Sequence, residues 1–175
     1  ADSIFSLLDE SHEKDEGHYE TERVSGAVTF EDVSFAYKEG EPVLSHLNLL
    51  VEPGKSIALV GKSGSGKSTL VSLLPRFYDV DTGRILIDGV PVQDYTLHNL
   101  RQQIAVVSQD GVLFEGTIAD NIAYGRDGQV SDEEIIRVAR SAHAMEFIDK
   151  LEHGIHAIVG DAGLMLSGGQ RQRIA

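Results

Sequence analysis

Residues 61–69 read Gly-Lys-Ser-Gly-Ser-Gly-Lys-Ser-Thr and fit the pattern G-x-x-x-x-G-K-[ST]. The apolar run at 56–60 predicts a buried strand before this stretch, and apolar residues at helical spacing predict a helix after it. Glycines in such a loop let successive backbone N–H groups point inward and surround an anion. The ammonium group of Lys67 can reach the outer phosphates of a nucleotide, and the Ser68 hydroxyl can bind Mg²⁺. The stretch therefore predicts a phosphate-binding loop between a strand and a helix.

Two other interpretations of residues 61–69 are weaker. A glycine-rich turn with a solvated lysine does not require the strand and helix predicted on either side. A dinucleotide-binding loop has the pattern G-x-G-x-x-G, and Thr69 stands where its third glycine is needed if Gly64 and Gly66 are the first two. The register therefore excludes a dinucleotide loop.

On both sides of the loop the chain has patterns typical of antiparallel strands. Segments rich in β-branched and aromatic residues at 28–37 and 47–51 precede it. After the loop and its helix, alternating residues at 84–87 lead into Asp88-Gly89, which is a strong hairpin signal. We expect an antiparallel β layer packed beside the phosphate-loop core.

The second half of the sequence has a mainly helical pattern. An apolar strand is predicted at 104–107, and residues 117–151 then show helical spacing. Ser131 and Glu134 form an S-x-x-E capping box that starts a helix. A later helix is expected to begin at Ser167, because serine suits an N-cap and the two glycines after it allow close backbone approach. We therefore expect a helical block and a second helix start, which is either an anion site or a plain glycine-rich helix start.

Composition limits the partners of the chain. Its 175 residues have a net charge of −13, and nucleic-acid surfaces need clustered Lys and Arg, so a DNA- or RNA-binding surface is disfavoured. Residues 1–23 hold eight acidic side chains against two basic ones, which predicts a charged linker, a disordered tail or the end of a longer helix. The absence of cysteine excludes disulfides and thiolate metal sites and fits a reducing compartment. The seven histidines show no spacing typical of a metal site.

Residues 166–170 read Leu-Ser-Gly-Gly-Gln, and together with the phosphate loop they resemble the two defining motifs of the ATP-binding cassette (ABC) family. Tyr37 resembles the aromatic residue that stacks on adenine in this family, with an ordinary strand aromatic as the alternative. Gln109 resembles the glutamine that contacts Mg²⁺ and the attacking water, with a polar strand end as the alternative. Asp161 stands where the exporters of the family usually have Glu, which keeps the charge but shortens the reach, with a solvated loop acid as the alternative.

The resemblance implies a set of site residues. The catalytic candidates are Lys67 and Gln109, and the candidate Mg²⁺ ligands are Ser68 and Gln109. The implied ATP-binding residues are Tyr37, Gly61, Lys62, Ser63, Gly64, Ser65, Gly66, Lys67, Ser68 and Thr69. The signature residues, which would contact the ATP held by a second copy, are Leu166, Ser167, Gly168, Gly169 and Gln170. ATP and Mg²⁺ are the implied cofactors.

The resemblance also implies an architecture. It is an α/β fold, with a P-loop NTPase core, an antiparallel β subdomain and a helical subdomain, incomplete after the signature motif. Residues 1–25 would be an acidic linker from a transmembrane domain. Residues 26–175 would be a partial nucleotide-binding domain, with the helical subdomain at 115–175.

Several segments resemble the exporter branch of the family. Residues 4–9 are similar to the connector after the last membrane helix of exporters, and 117–125 is similar to an exporter segment. Residues 144–148 and the acidic start are similar to bacterial exporters of lipid. The implied function is export of a lipid or amphipathic substrate across the bacterial inner membrane, coupled to ATP binding and hydrolysis. The domain would lie on the cytoplasmic face.

The partners implied by the family are ATP, a second copy of the domain and the transmembrane domain of the same transporter, with no nucleic acid. The two copies would form a head-to-tail homodimer that holds ATP between the phosphate loop of one and the signature of the other. The surface at 110–125 would face the membrane helices. Its apolar residues Val112, Leu113 and Phe114 fit a docking patch, with buried loop residues as the alternative.

Residues 1–175 contain no later apolar strand that ends in Asp-Glu and no switch histidine, which family members use in hydrolysis. We therefore expect this chain alone to hydrolyse ATP poorly, and the apolar run at 56–60 to be exposed and prone to aggregation. Two alternative functions are a non-hydrolysing nucleotide-binding module and a soluble DNA-maintenance ATPase. The second would have a basic surface and long coiled-coil heptads, which this sequence does not have.

Overall fold

The computed structural model describes residues 13–108, 111–126, 128–159 and 166–175. Its contacts divide the chain into two compact units, Ala1–Ala105 and Val106–Ala175. The first unit holds the larger sheet and the phosphate loop, and the second holds most of the helices. Within the described ranges, none of the helices is both long enough and apolar enough to cross a bilayer.

An antiparallel sheet is the main layer of the first unit. Its strands are β1 (Val28–Ala36), β2 (Pro42–Val51), β3 (Thr82–Ile87) and β4 (Val90–Pro91), arranged in the order β2-β1-β3-β4. Asp88 and Gly89 join β3 to β4 with φ angles of 51° and 82°. Two successive positive φ angles are typical of a two-residue hairpin turn. The predicted antiparallel layer and its hairpin are both confirmed.

Two short helices complete the described part of the first unit. Helix α1 (Lys67–Leu73) follows the phosphate loop, and helix α2 (Leu97–Gln102) follows β4. Apolar side chains of α1 and α2 join those of the sheet in one core, which removes them from water and stabilises the unit. The buried members of this core are Phe30, Val33, Phe35, Leu44, Leu70, Leu73, Ile85, Ile87, Val92, Tyr95 and Leu100.

The acidic residues 13–24, called here the N-terminal strap, lie against α2 and the residues just before it. Tyr19 and Tyr95 form a parallel bridge, and their rings meet edge to face at 4.8 Å. A Cβ atom on Gly17 would lie 1.9 Å from the Tyr95 carbonyl oxygen, so the close approach requires glycine. The Arg101 guanidinium donates two hydrogen bonds to the Glu13 carboxylate, at 2.6 and 2.8 Å. The described part of this acidic segment is therefore docked rather than disordered.

Two predicted strands are not formed. Residues 56–60 and 104–107 have no strand assignment and are largely exposed, with Val60 92% accessible. A strand needs a neighbouring strand to satisfy its backbone groups, and none of the described strands pairs with either segment. The predictions of a buried strand at 56–60 and of an apolar strand at 104–107 were wrong, because an apolar run does not itself supply a pairing partner. The expected exposure of 56–60 is confirmed.

The second unit is a cluster of short helices with one small strand pair. The helices are α3 (Ile118–Ala123), α4 (Asp132–Ser141), α5 (Met145–Ile148) and α6 (Gly168–Ile174), with a 3-10 turn at Gly154–His156. Strands β5 (Gly116–Thr117) and β6 (Ile158–Val159) pair antiparallel. The Ser131 hydroxyl caps α4 by accepting a hydrogen bond from the Glu134 amide at 3.3 Å. The predicted helical block is confirmed, as several helices in succession.

Candidate functional site

The phosphate loop leads directly into α1, and Gly66 is the residue that makes the connection. It is the N-cap of α1 and has a left-handed backbone, with φ 83°. A Cβ atom on Gly66 would lie 2.9 Å from Leu44 Cδ2 and 3.2 Å from the Val43 carbonyl oxygen. Both the backbone conformation and the close packing therefore require glycine. This brings the loop against the start of β2.

Lys67 places its ammonium group over the loop. Its Nζ donates hydrogen bonds to the carbonyl oxygens of Gly61 and Lys62 at 3.0 and 2.8 Å, and contacts Ser65 Oγ at 3.3 Å. These acceptors hold a positive charge where the loop curls. Since an ammonium group has three donors that can rotate, it can also turn toward an anion in the loop.

An open cleft of about 350 Å³ lies over this loop, lined by Tyr37, Val43 and residues 63–69. No carboxylate is among the lining residues, whereas they include one ammonium group and several hydroxyls. Gly66 has no side chain to cap the first amides of α1, which leaves those N–H groups to a ligand. Donors and positive charge together fit a polyphosphate. For Mg²⁺, the described residues offer the exposed Ser68 hydroxyl.

Tyr37 lies at the edge of the cleft. Its hydroxyl is 3.0 Å from Thr69 Oγ1, and its side chain is 52% exposed. The ring also meets Tyr78 edge to face, with 5.1 Å between the centroids. The tertiary fold therefore brings Tyr37, the phosphate loop and Tyr78 together. Sequence analysis missed Tyr78, and its aromatic side chain shortly after the predicted loop helix was the one signal available.

The signature residues form the start of α6. Ser167 Oγ accepts a hydrogen bond from the Gln170 amide at 3.3 Å, and Gln170 Oε1 accepts one from the Ser167 amide at 2.8 Å. This reciprocal pair is a capping box, so the predicted N-cap is confirmed. Gly168 and Gly169 are exposed beside it, and Leu166 is buried. Solvent therefore reaches the backbone at the beginning of the helix.

Other predicted site residues lie outside the described ranges. They are Gln109, Asp161 and the connector at 4–9. The residues on either side of 109–110 contact α6. Gln172 Nε2 donates to the Ser108 carbonyl oxygen at 3.1 Å. A Cβ atom on Gly111 would lie 3.1 Å from the backbone of Arg171, so glycine permits this close contact.

The family model for the ABC transporter matches residues 44–175 of this chain. This chain belongs to the ABC transporter family. The resemblance inferred from the phosphate loop and the signature is confirmed.

Individual relatives point the same way. The chain is 55% identical over 174 residues to an ATP-dependent lipid A-core flippase of Mannheimia succiniciproducens. It is 53% identical over 174 residues to a flippase of the same description from Pseudoalteromonas atlantica. Each match covers 99% of this chain and 30% of the relative, so the chain spans about three tenths of those proteins.

A solved structure supports the fold of this ABC transporter domain. A bacterial Atm1-family ABC exporter with ATP bound is 41% identical to the chain, with a TM-score of 0.82. The match covers 99% of this chain and 31% of that one. The predicted fold class, a P-loop core with an antiparallel β subdomain and a helical subdomain, is confirmed.

Proposed function

We propose that this chain is the ATP-binding domain of an ABC exporter that moves a lipid or amphipathic substrate across the bacterial inner membrane. The observation behind this proposal is the donor-rich cleft over the phosphate loop, with Tyr37 at its edge. The similarity to ATP-dependent lipid A-core flippases supports lipid as the substrate class. The domain would lie on the cytoplasmic side, where ATP is available.

In this proposal each residue of the cleft has a separate task. The loop amides and Lys67 bind the β- and γ-phosphates, and Tyr37 stacks on adenine. Ser68 would hold Mg²⁺, which would neutralise charge on the phosphates. Gln109, which lies outside the described residues, would orient the attacking water and contact the same ion, as the family resemblance implies. Catalysis of phosphoryl transfer depends mainly on positioning and electrostatic stabilisation, and these are the contributions that such residues make.

The exposed signature supports a second copy of the domain as a partner. In a head-to-tail homodimer, ATP bound by residues 61–69 of one copy would meet Ser167, Gly168 and Gly169 of the other. The arrangement is a two-fold one, because the same surface serves both copies. Hydrolysis would remove the ATP bridge and let the two domains separate.

The loop before β5 supports a transmembrane domain as the other partner. Val112 and Phe114 are exposed apolar residues there, and a membrane protein's cytoplasmic segment would cover them. The loop has a defined shape, because the buried Asn121 side chain accepts a hydrogen bond from the Phe114 amide and donates one to its carbonyl. We infer that this shape is what the membrane helices recognise.

The proposal is tested by calorimetric titration of the chain with MgATP. Removing a hydrogen-bonding charge costs about 1.5–3 kcal/mol, so Lys67→Ala should raise the Kd at least about tenfold. Lys55→Ala is the matched control, since Lys55 is an exposed turn residue of equal charge in the same unit. Equal affinity in the Lys67 variant and the control would contradict the role of the loop. Lipid stimulation of ATPase activity in a full transporter with this domain tests the substrate class.

A further inference from the structure

We propose that Tyr78 is a positioning residue, which holds the Tyr37 ring in place for the purine base of the nucleotide. The inference rests on the proposed function, because it requires Tyr37 to stack on adenine. It deepens that function by adding a residue that would act on the base through another side chain.

Three aromatic rings form a compact cluster at the end of β1. Tyr37 meets Phe35 at 4.9 Å and Tyr78 at 5.1 Å between centroids, and the ring planes cross at 86° in both pairs. Phe35 and Tyr78 are themselves 5.7 Å apart. Perpendicular pairs at these distances are favourable, because the positive edge of one ring meets the negative face of the other. The orientation of the Tyr37 ring is thus set by two neighbours.

A hydrogen bond restrains Tyr37 at its other end. Its hydroxyl lies 3.0 Å from Thr69 Oγ1, and Thr69 is buried in the first turn of α1. The ring is therefore restrained at the hydroxyl by the phosphate-loop helix and at its sides by aromatic neighbours. About half of the side chain is still accessible, which leaves surface for a base to stack on.

Tyr78 is placed for this task rather than for building the core. Its side chain is 47% exposed, whereas Phe35 is buried. The adjacent Phe77 is exposed to a similar extent but has another partner, since its ring lies under the Arg101 guanidinium at 5.7 Å. Phe77 and Tyr78 are therefore similarly exposed but make different contacts. The Tyr78 ring contacts Tyr37 and Phe35.

Tyr78 is expected to preorganise the Tyr37 ring for binding of the base. A freely rotating Tyr37 would lose side-chain entropy when the base stacks on it, and this loss weakens binding. With Tyr78 in place, that ordering is present before the nucleotide arrives. Loss of the Tyr78 ring should therefore weaken the base-dependent part of affinity and leave phosphate binding unchanged.

The test is calorimetric titration of the chain with MgATP and, separately, with Mg-tripolyphosphate, which has no base. We expect Tyr78→Ala to raise the Kd for MgATP roughly three- to tenfold and to leave the Kd for tripolyphosphate unchanged. Tyr78→Phe should match the wild type, because it keeps the ring. Phe77→Ala is the matched control and should not alter either Kd. In a Tyr37→Ala background, Tyr78→Ala should add no further loss.

The outcomes separate this inference from the proposed function. If wild type binds MgATP and Tyr37→Ala weakens binding while Tyr78→Ala does not, the proposed function stands and the positioning role is overturned. An equal loss of tripolyphosphate binding in Tyr78→Ala would also overturn it, since the damage would then be general. If Tyr78→Ala does not fold, Tyr78→Leu keeps the bulk without the ring and should give the same selective loss. Failure of wild type to bind MgATP would overturn both proposals.

Discussion

Single residues in the phosphate loop have distinct physical roles, and two of its glycines form a natural comparison. Gly66 and Gly64 have nearly the same left-handed backbone, with φ angles of 83° and 79°. A Cβ atom on Gly66 would lie 2.9 Å from Leu44 Cδ2, whereas one on Gly64 would meet nothing within 4 Å. A side chain at either position would therefore strain the backbone, but only a side chain at position 66 would also clash with its neighbours.

We expect Gly66→Ala to lower the free energy of unfolding by about 1–3 kcal/mol from backbone strain, with a further loss from the contact with Leu44. Gly64→Ala should show the strain alone and so be less destabilising. Urea unfolding of both variants measures the difference. Equal losses would show that Gly66 is not tightly packed against Leu44.

At the scale of elements, the N-terminal strap is attached to α2 through charge as well as backbone pairing. The hydrogen bonds from Arg101 to Glu13 lower the pKa of that carboxyl group. The same guanidinium also donates hydrogen bonds to the carbonyl oxygens of Pro75 and Arg76, both at 3.1 Å. Arg101 thus ties the strap to the residues just after α1.

The strap should make a small contribution to stability that depends on pH. Folding lowers the pKa of the Glu13 carboxyl group. Its ionised form therefore stabilises the fold at any pH above the pKa that the group has in the unfolded chain. The stabilisation is lost as the pH falls through the pKa of the group in the folded protein. We therefore expect the difference in unfolding free energy between wild type and Glu13→Gln to be constant above about pH 5 and to vanish in stronger acid. Its plateau should be about 0.2–1 kcal/mol, since Glu13 is 61% exposed in this ion pair.

Urea unfolding at a series of pH values measures this difference. Glu16→Gln provides the control, because Glu16 is an exposed residue of the same strap and the substitution changes the charge equally. A difference for Glu13→Gln that grows as the pH falls would contradict the ion pair with Arg101.

At the scale of the whole molecule, the main feature is apolar surface left uncovered at 56–60 and 104–107. Val60 is almost fully accessible in the first segment. Exposed apolar runs with unpaired backbone groups favour association between chains. The 175-residue chain should therefore aggregate from its folded state.

We expect Val60→Ser to slow aggregation of the 175-residue chain while changing the free energy of unfolding by no more than about 0.5 kcal/mol, as for other surface substitutions. Light scattering at rising protein concentration measures the first effect, and urea unfolding the second. Val33→Ser is the comparison, since Val33 is fully buried and its replacement should lower the free energy of unfolding by about 1–3 kcal/mol. If Val60→Ser aggregates as fast as the wild type, then the surface through which the chains associate does not depend on Val60.

The sequence by itself determined the features that depend on neighbours within a few residues. The phosphate loop, the Asp88-Gly89 turn and the Ser167 cap all follow from local backbone sterics and short hydrogen bonds, and the structure contains the turn and the cap as predicted. The family, and with it the fold class, followed from two such motifs in the right order.

Only the tertiary structure decided which distant residues meet. The Tyr37 hydroxyl reaches Thr69, 32 positions away, and Arg101 reaches Glu13 across 88 positions. It also decided that the apolar run at 104–107 is largely exposed and that Tyr78 stands beside Tyr37. A pattern records which face of a segment is apolar, whereas burial and pairing depend on partners that the chain brings together only when it folds.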